Sequence, residues 1–118
     1  MNCFWGDLHN HNSIGYARGS LERSYRIAEN TLDFFAFTPP SGWPDMPAAP
    51  RSLRAHCSNG FAATAAQWQR VVDAANAANR SGVFAAFVSF EWHSLAWGDY
   101  CVHYPGGEGR ALEPAELS

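Results

Sequence analysis

The sequence predicts an α/β fold in which helices cover a mainly parallel β-sheet. Short apolar runs alternate with segments of helical periodicity. Residues 33–38 and 83–90 are apolar on both faces, which is typical of strands in a parallel sheet. The predicted order is β-α-β-loop-α-β-β, with about three to four mainly parallel strands and two helices. This sheet is too small to close and its last strand lacks a covering helix, so we expect the N-terminal part of a larger α/β barrel.

The first predicted strand leads into two histidines. The apolar run Cys3–Trp5 is expected to form a buried strand that ends where His9 and His11 begin. Residues i and i+2 of a strand point to the same face, so the two imidazoles project together from its C-terminal end. Two neutral imidazoles favour a zinc, manganese or iron site. Asp7 faces the other way in a regular strand and is expected to cap a loop or anchor a neighbour.

A helix and a second strand follow. Ser20 is a suitable N-cap for a helix over residues 21–30, and the second strand spans residues 33–38. The predicted inner face of this helix is formed by Leu21, Ser24, Tyr25, Ala28 and Leu32. Strand, helix and strand in this order predict a right-handed βαβ unit.

The segment after the second strand is rich in proline. Pro39 and Pro40 cannot continue a strand ladder, and residues 39–60 are predicted to form a long loop. Loops of this length are usually functional or disordered. With Trp43 and Met46 as anchors, the segment is either an ordered cover over the strand ends or a loose surface excursion.

A second helix and two further strands complete the pattern. Residues 62–79 are predicted to be helical, with an apolar face of Ala65, Trp68, Val71, Val72, Ala75 and Ala78. The third strand, residues 83–90, ends in Glu91, which therefore takes the position that the histidines take on the first strand. Residues 100–104 are predicted to form a fourth strand, and residues 105–118 are predicted to form an irregular tail. The 118 residues are expected to form one partial domain.

The strand ends supply the candidate metal ligands. His9, His11 and Glu91 form a set of two imidazoles and a carboxylate that leaves coordination positions open for water and substrate. A metal held there can lower the pKa of a bound water and polarise a phosphoryl or carbonyl oxygen. His93 and His103 are further candidates. For His103, inside a predicted strand, a hydrogen-bonded wall histidine is the commoner alternative.

Composition excludes several classes of function. The chain has no lysine, no basic block and a net charge of −3, which argues against nucleic-acid binding and against an electrostatic membrane surface. No run of eighteen apolar residues exists, and no signal peptide is expected. Cys3 and Cys101 are predicted as buried strand residues and Cys57 as a loop thiol, in a reducing and therefore cytoplasmic compartment.

Three segments resemble motifs of the PHP (polymerase and histidinol phosphatase) superfamily, and proteins of unknown function within it are the most similar. Phe4–His11 resembles the first motif, Leu32–Thr38 the strand of the second, and Val88–Ser94 with Gly98–Tyr100 the third. The resemblance implies a distorted (β/α)7 barrel with a bi- or trinuclear metal cluster and phosphoester hydrolysis by metal-activated water. It implies a small anionic or phosphorylated substrate.

The chain also departs from that pattern. Pro39-Pro40 stands where the superfamily has a metal-binding histidine, and Ile14–Arg18 lacks the ligand often found after the first motif. Two functions therefore remain open: a metal-dependent phosphoesterase, or a catalytically impaired descendant that acts as a binding module. For the enzyme, Asp99 or Arg18 is a candidate contact to an anionic substrate. An open partial sheet also leaves unpaired edges, so self-association is expected.

Overall fold

A computed structural model describes residues 1–111 of the chain. It shows an α/β fold with a mostly parallel five-stranded sheet and two helices, and the α/β prediction is confirmed. The strands are β1 (Gly6–Asn10), β2 (Phe34–Phe37), β3 (Pro40–Gly42), β4 (Ala85–Trp92) and β5 (Tyr100–Tyr104). The helices are α1 (Leu21–Thr31) and α2 (Arg51–Ala78).

The sheet is organised around β4. On one side β4 pairs in parallel first with β2 and then, farther along, with β3, while β1 pairs in parallel with the outer side of β2. The predicted fourth strand forms as β5 and pairs antiparallel with the other side of β4. The carboxyl ends of the four parallel strands therefore point in one direction, and side chains that follow them can meet.

One hydrophobic core lies between the sheet and the helices. Val88 of β4 and Phe84, which directly precedes this strand, are buried in one cluster with helix residues such as Tyr25, Val71 and Ala75. Each helix contacts the sheet and the two helices contact each other, which places both on the same face. Within the predicted inner face of α2, Ala65 is exposed and does not contribute to the core. None of the helices in residues 1–111 has the length and hydropathy of a membrane span.

The predicted first strand is displaced and is not buried. β1 begins at Gly6, so His9 lies inside the strand, and Cys3, Phe4 and Trp5 are exposed. The ladder starts where the carbonyl of Trp5 accepts the N–H groups of Asp33 and Phe34. Within the described residues β1 pairs only with β2, so its outer edge is open. The apolar residues Cys3–Trp5 that precede β1 are therefore not covered by another strand.

The predicted loop over residues 39–60 is wrong at both ends. Pro40–Gly42 continues the sheet as β3, because the carbonyl of Pro39 accepts the N–H of Glu91 and the carbonyl of Gly42 accepts that of His93. A proline ring removes only its own N–H donor, and the carbonyls of Pro39 and Gly42 still accept hydrogen bonds from β4. The sheet consequently has five strands where three to four were expected.

Helix α2 begins at Arg51, eleven residues before the predicted start at residue 62, and only residues 43–50 form a loop. Gly60 would ordinarily weaken a helix at this point. Here the ring of Tyr16 occupies the space that a Cβ would need, with 2.7 Å between Tyr16 Cε1 and an added Cβ. Cys57 is therefore a buried helix residue and not a loop thiol.

The tail contains neither helix nor strand from residue 105 to residue 111, as predicted, and its last part, residues 112–118, lies outside the described residues. Tyr104 and Trp68 tie the described part to the domain. The hydroxyl of Tyr104 donates to the carbonyl of Arg110, and the indole N–H of Trp68 donates to the carbonyl of Gly109.

Candidate metal centre

The two histidines at the end of β1 face each other. His9 Nε2 lies 3.0 Å from His11 Nε2, and the ring centroids are 4.9 Å apart in an edge-on arrangement. The carboxylate of Asp7 accepts the backbone N–H of His9 and the side-chain N–H of Asn10. Asp7 thus anchors its neighbours at the strand end, which confirms the role predicted for it.

Glu91 joins the histidines from β4. Its Oε1 lies 3.1 Å from His9 Nε2 and its Oε2 lies 3.1 Å from His11 Nε2. Strand β2 separates β1 from β4 but ends at Phe37, so the histidines and Glu91 meet beyond its end. The structure therefore brings together the three side chains that the sequence singled out.

The carboxylate of Glu91 is buried and ionised. Its side chain is only 4% exposed. Burial opposes the charge, but the contact with His11 and the charges of the neighbouring histidines outweigh this effect and hold the pKa of Glu91 below its usual range. Oε2 makes no hydrogen bond of good geometry with any residue in the described part of the chain. A buried anionic oxygen without such a partner favours a cation.

The donor set fits a divalent metal ion. In a tetrahedral zinc site with Zn–N distances of about 2.0–2.1 Å, neighbouring ligand atoms are about 3.3 Å apart. The observed separations of 3.0–3.1 Å among His9, His11 and Glu91 are close to this value. Two imidazoles and one carboxylate also suit manganese and iron, and such a set leaves positions open for further ligands. These residues could therefore hold a metal ion.

A second group of side chains lies beside the first. His93 follows β4, and its Nε2 lies 3.5 Å from Glu91 Oε2 and 3.3 Å from the hydroxyl of Tyr16. The opposite nitrogen, Nδ1, lies 3.1 Å from Asp99 Oδ1. Glu91, His93 and Asp99 are close enough to form a second ligand group. Glu91 and Asp99 approach opposite nitrogens of the His93 ring. The pair better placed to share a metal ion is therefore Nε2 with Glu91, and Asp99 lies on the far side of the ring.

An aromatic wall packs around His93 and consists of Tyr16, Trp43 and Phe61. The ring centroid of Trp43 is 5.4 Å from that of His93, and the ring of Tyr16 stacks on His56 at 5.6 Å. Burial raises the pKa of Tyr16 above its ordinary value, and the neighbouring Cys57 and Glu91 add to the effect. The phenol is therefore uncharged and offers a hydroxyl to the site.

The loop over residues 43–50 is an ordered cover at the strand ends. Its Asp45 accepts hydrogen bonds from the hydroxyl of Ser94 and from the backbone N–H groups of Leu95 and Ala96. These hydrogen bonds lower the pKa of Asp45, and the bond from Ala96 N–H has the largest effect. Of the two alternatives that the sequence left open for this segment, the structure shows the ordered cover.

His103 lies outside both ligand groups. It sits on β5 opposite Ser89, whose Oγ is 2.8 Å from His103 Nδ1, and its ring packs on Phe87. The pKa of His103 is lowered, mainly by burial and to a smaller extent by the charge of His9. This is the hydrogen-bonded wall position that the sequence left as its alternative. Arg18, a candidate substrate contact, is exposed.

Sequence reasoning did not identify Tyr16 or Asp45. Ile14–Arg18 contains no acidic or histidine ligand, and a tyrosine in a loop does not by itself indicate a metal site. Gly15 with its positive φ of 126° turns the loop so that Tyr16 enters the site, and Ala17 N–H closes the loop on the carbonyl of Asn12. For Asp45 the local sequence carries no distinguishing signal, because its partners are about fifty residues away.

Comparison with known proteins identifies one family. A family model described as "Protein of unknown function (DUF3604)" matches residues 35–103. This segment contains Glu91, His93 and Asp99, whereas His9 and His11 precede it. No curated protein and no solved structure matches the chain. Because the match covers more than half of the chain, the protein belongs to the DUF3604 family.

Proposed function

We propose that this chain is the metal-binding part of a metal-dependent hydrolase, most consistent with a phosphoesterase of the PHP type. The observation that carries the proposal is the convergence of His9, His11 and the buried carboxylate of Glu91 at the ends of parallel strands. In α/β enzymes functional groups collect at this end of the sheet. The phosphoester specificity is supported only by the motif resemblance.

For the whole fold, we propose the N-terminal part of a distorted (β/α)7 barrel. The parallel neighbours β1, β2 and β4, with both helices on one face of the sheet, are compatible with a barrel segment. The open outer edge of β1 is where a closing strand would pair. The three free cysteines are compatible with a reducing, cytoplasmic compartment.

The residues of the site have separable roles in this proposal. His9, His11 and Glu91 hold the ion, with His93 Nε2 beside Glu91 as a further ligand. A divalent ion supplies Lewis acidity, which lowers the pKa of a coordinated water and polarises a phosphoryl oxygen. The Tyr16 hydroxyl, 3.3 Å from His93 Nε2, faces the same space, and the aromatic wall restricts water on that side. A small anionic or phosphorylated molecule is the substrate class.

The first test is the metal content of the protein. Protein purified without chelator or immobilised metal is analysed by plasma mass spectrometry, beside the double variant His9→Ala/His11→Ala and the variant Glu91→Gln. We expect about one equivalent or more of zinc, manganese or iron in the wild type and a loss in both variants. His56→Ala, which removes an exposed histidine outside the ligand groups, is the matched control and should keep its metal.

The second test is hydrolysis of a chromogenic phosphomonoester and phosphodiester by the metal-loaded protein. Turnover that disappears in Glu91→Gln and persists in His56→Ala supports the phosphoesterase. A folded wild type that takes up no metal contradicts the proposal, because then the convergent ligands do not form a working site.

A second candidate function is a catalytically impaired binding module. Pro39-Pro40 lies buried in and beside β3 and provides no side-chain ligand. Near the site, Leu95 and Trp97 are exposed, and the ring of Trp92 packs at a tilt against the exposed Tyr100. A protein that binds metal without turnover of either ester, or that binds no metal at all, favours this candidate over the enzyme.

A further inference from the structure

One side chain from the loop over residues 43–50 stabilises the turn that follows β4. Asp45, in the loop over residues 43–50, accepts the Ser94 hydroxyl at 2.8 Å and the N–H groups of Leu95 and Ala96 at 2.9 and 3.0 Å. The Ser94 hydroxyl also accepts the N–H of Trp97, and the N–H of Gly98 donates to the Ser94 carbonyl. Asp45 therefore fixes both the start and the middle of a turn that leads directly to Asp99.

The end of this turn presents a carboxylate to His93. Asp99 Oδ1 lies 3.1 Å from His93 Nδ1, while the nearer carboxylate oxygen on the opposite side, Glu91 Oε2, is 3.5 Å from Nε2. In a neutral imidazole, one nitrogen carries the proton and the other carries a lone pair. A hydrogen bond from Nδ1–H to Asp99 thus leaves the Nε2 lone pair facing Glu91 and the Tyr16 hydroxyl.

We infer that Asp99 is a positioning residue that fixes the Nδ1–H tautomer of His93, and that Asp45 holds the turn that delivers Asp99. Neither residue needs to touch the metal or the substrate. A carboxylate behind a ligating histidine orients the ring and increases the basicity of its other nitrogen. The expected effect of Asp99 on metal affinity rests on the proposed function. The tautomer of His93 can be measured whether or not the protein binds a metal.

The test reads the tautomer directly by NMR. Protein labelled with ¹⁵N-histidine is examined without metal above about pH 8, where an ordinary histidine is neutral. The five histidines are distinguished with the variant His93→Gln. We expect His93 to carry its proton on Nδ1 in the wild type. Asp99→Ala should shift it to the Nε2–H form or to a mixture, and Asp45→Ala should act in the same direction although it does not contact the ring.

Two variants separate positioning from general loss of structure. Asp45→Asn keeps one acceptor oxygen for the turn and should restore part of the Nδ1–H population. Asp73→Ala, which removes an exposed carboxylate of α2 that bonds only to Gln69 among the described contacts, should leave the tautomer unchanged. If Asp45→Ala does not fold, Asp45→Asn replaces it and should show a reduced Nδ1–H population relative to the wild type.

The outcomes distinguish this inference from the proposed function. A wild type with the proton on Nε2, or an Asp99→Ala variant with an unchanged tautomer, overturns the inference whatever the metal content. An unchanged tautomer in the folded Asp45 variants overturns the role of Asp45. An Nδ1–H wild type without metal uptake supports the inference while it contradicts the hydrolase. With metal bound, Asp99→Ala should weaken affinity by about 10–100-fold.

Discussion

At the scale of single residues, Glu91 determines how the candidate site responds to its surroundings. Its carboxylate is almost fully buried, and both oxygens face histidine nitrogens at 3.1 Å. Burial alone would raise its pKa, but the surrounding imidazoles lower it. A buried anion that stays charged must gain its stabilisation from those partners, because water cannot supply it.

The lowered pKa of Glu91 predicts an acid-dependent loss of stability in the metal-free protein. An unfolded glutamate titrates near 4.5, and the folded carboxylate titrates below this value. The stabilising contribution is therefore fully present above pH 4.5 and is lost as the pH falls through the lower, folded pKa. Urea unfolding at a series of pH values measures this, and Glu91→Gln should lack this part of the pH dependence.

The matched control for that experiment is Glu108→Gln, which removes an exposed carboxylate of the tail. It should follow the wild-type pH dependence. If Glu91→Gln loses stability with acid as steeply as the wild type below pH 4.5, then the contacts of Glu91 with the histidines do not stabilise the folded chain.

At the scale of elements, the loop between β1 and α1 fits closely against β3 and α2. A Cβ on Gly15 would lie 2.5 Å from Pro40 Cδ, and one on Gly60 would meet the ring of Tyr16. Within the loop, Ile14 N–H donates a hydrogen bond to the Asn12 side-chain oxygen. Glycine at these two positions is what lets the loop carry Tyr16 into the site.

This close fit predicts that Gly15→Ala is markedly destabilising. Gly15 has a φ of 126°, and alanine there meets both backbone strain and the Pro40 ring. Gly82 has a φ of 73° with no atom near a Cβ, so Gly82→Ala meets strain alone. We expect Gly82→Ala to lower the free energy of unfolding by about 1–2 kcal/mol. Gly15→Ala should lower it by about 1–3 kcal/mol more, because of overpacking.

Urea unfolding of the two variants beside the wild type gives the comparison. Equal destabilisation by both alanines would show that the loop moves away from Pro40 without cost. In that case Tyr16 would not be held in the site by close packing of the loop.

At the scale of the whole molecule, the sheet has helices on one face and open edges. β1 pairs only with β2, and β5 only with β4, within residues 1–111. Several large apolar side chains are exposed near the β1 edge, among them Phe4, Trp5 and Leu8. An open edge with apolar neighbours favours pairing with another strand.

The open edge predicts that the isolated chain self-associates through β1. Leu8→Lys places a charge on the edge strand, where it should oppose strand pairing, and we expect a smaller associated fraction in sedimentation velocity across a concentration series. Ile27→Lys is the matched control, because Ile27 is similarly exposed but lies on α1. Equal effects of both substitutions would point to general hydrophobic association and not to the strand edge.

Part of the fold and of the site follows from local sequence alone. Double-sided apolar strands and helical periodicity identified β2, α1 and β4, and Ser20 does cap α1 by accepting the N–H of Arg23. The alternation of side chains along a strand, together with the shared direction of parallel strands, was enough to place His9, His11 and Glu91 at one end of the sheet. These features depend on periodicity, which the sequence carries directly.

The tertiary structure decided what depends on distant partners. β3 exists because β4 supplies N–H groups to the Pro39 and Gly42 carbonyls, and Gly60 in α2 leaves the space that the distant Tyr16 ring occupies. The apolar residues Cys3–Trp5 are exposed because no described strand covers the outer edge of β1. Asp45 and Asp99 reach the site through contacts that no short sequence window contains. Propensity and periodicity are local, whereas these contacts form only when remote segments pack together.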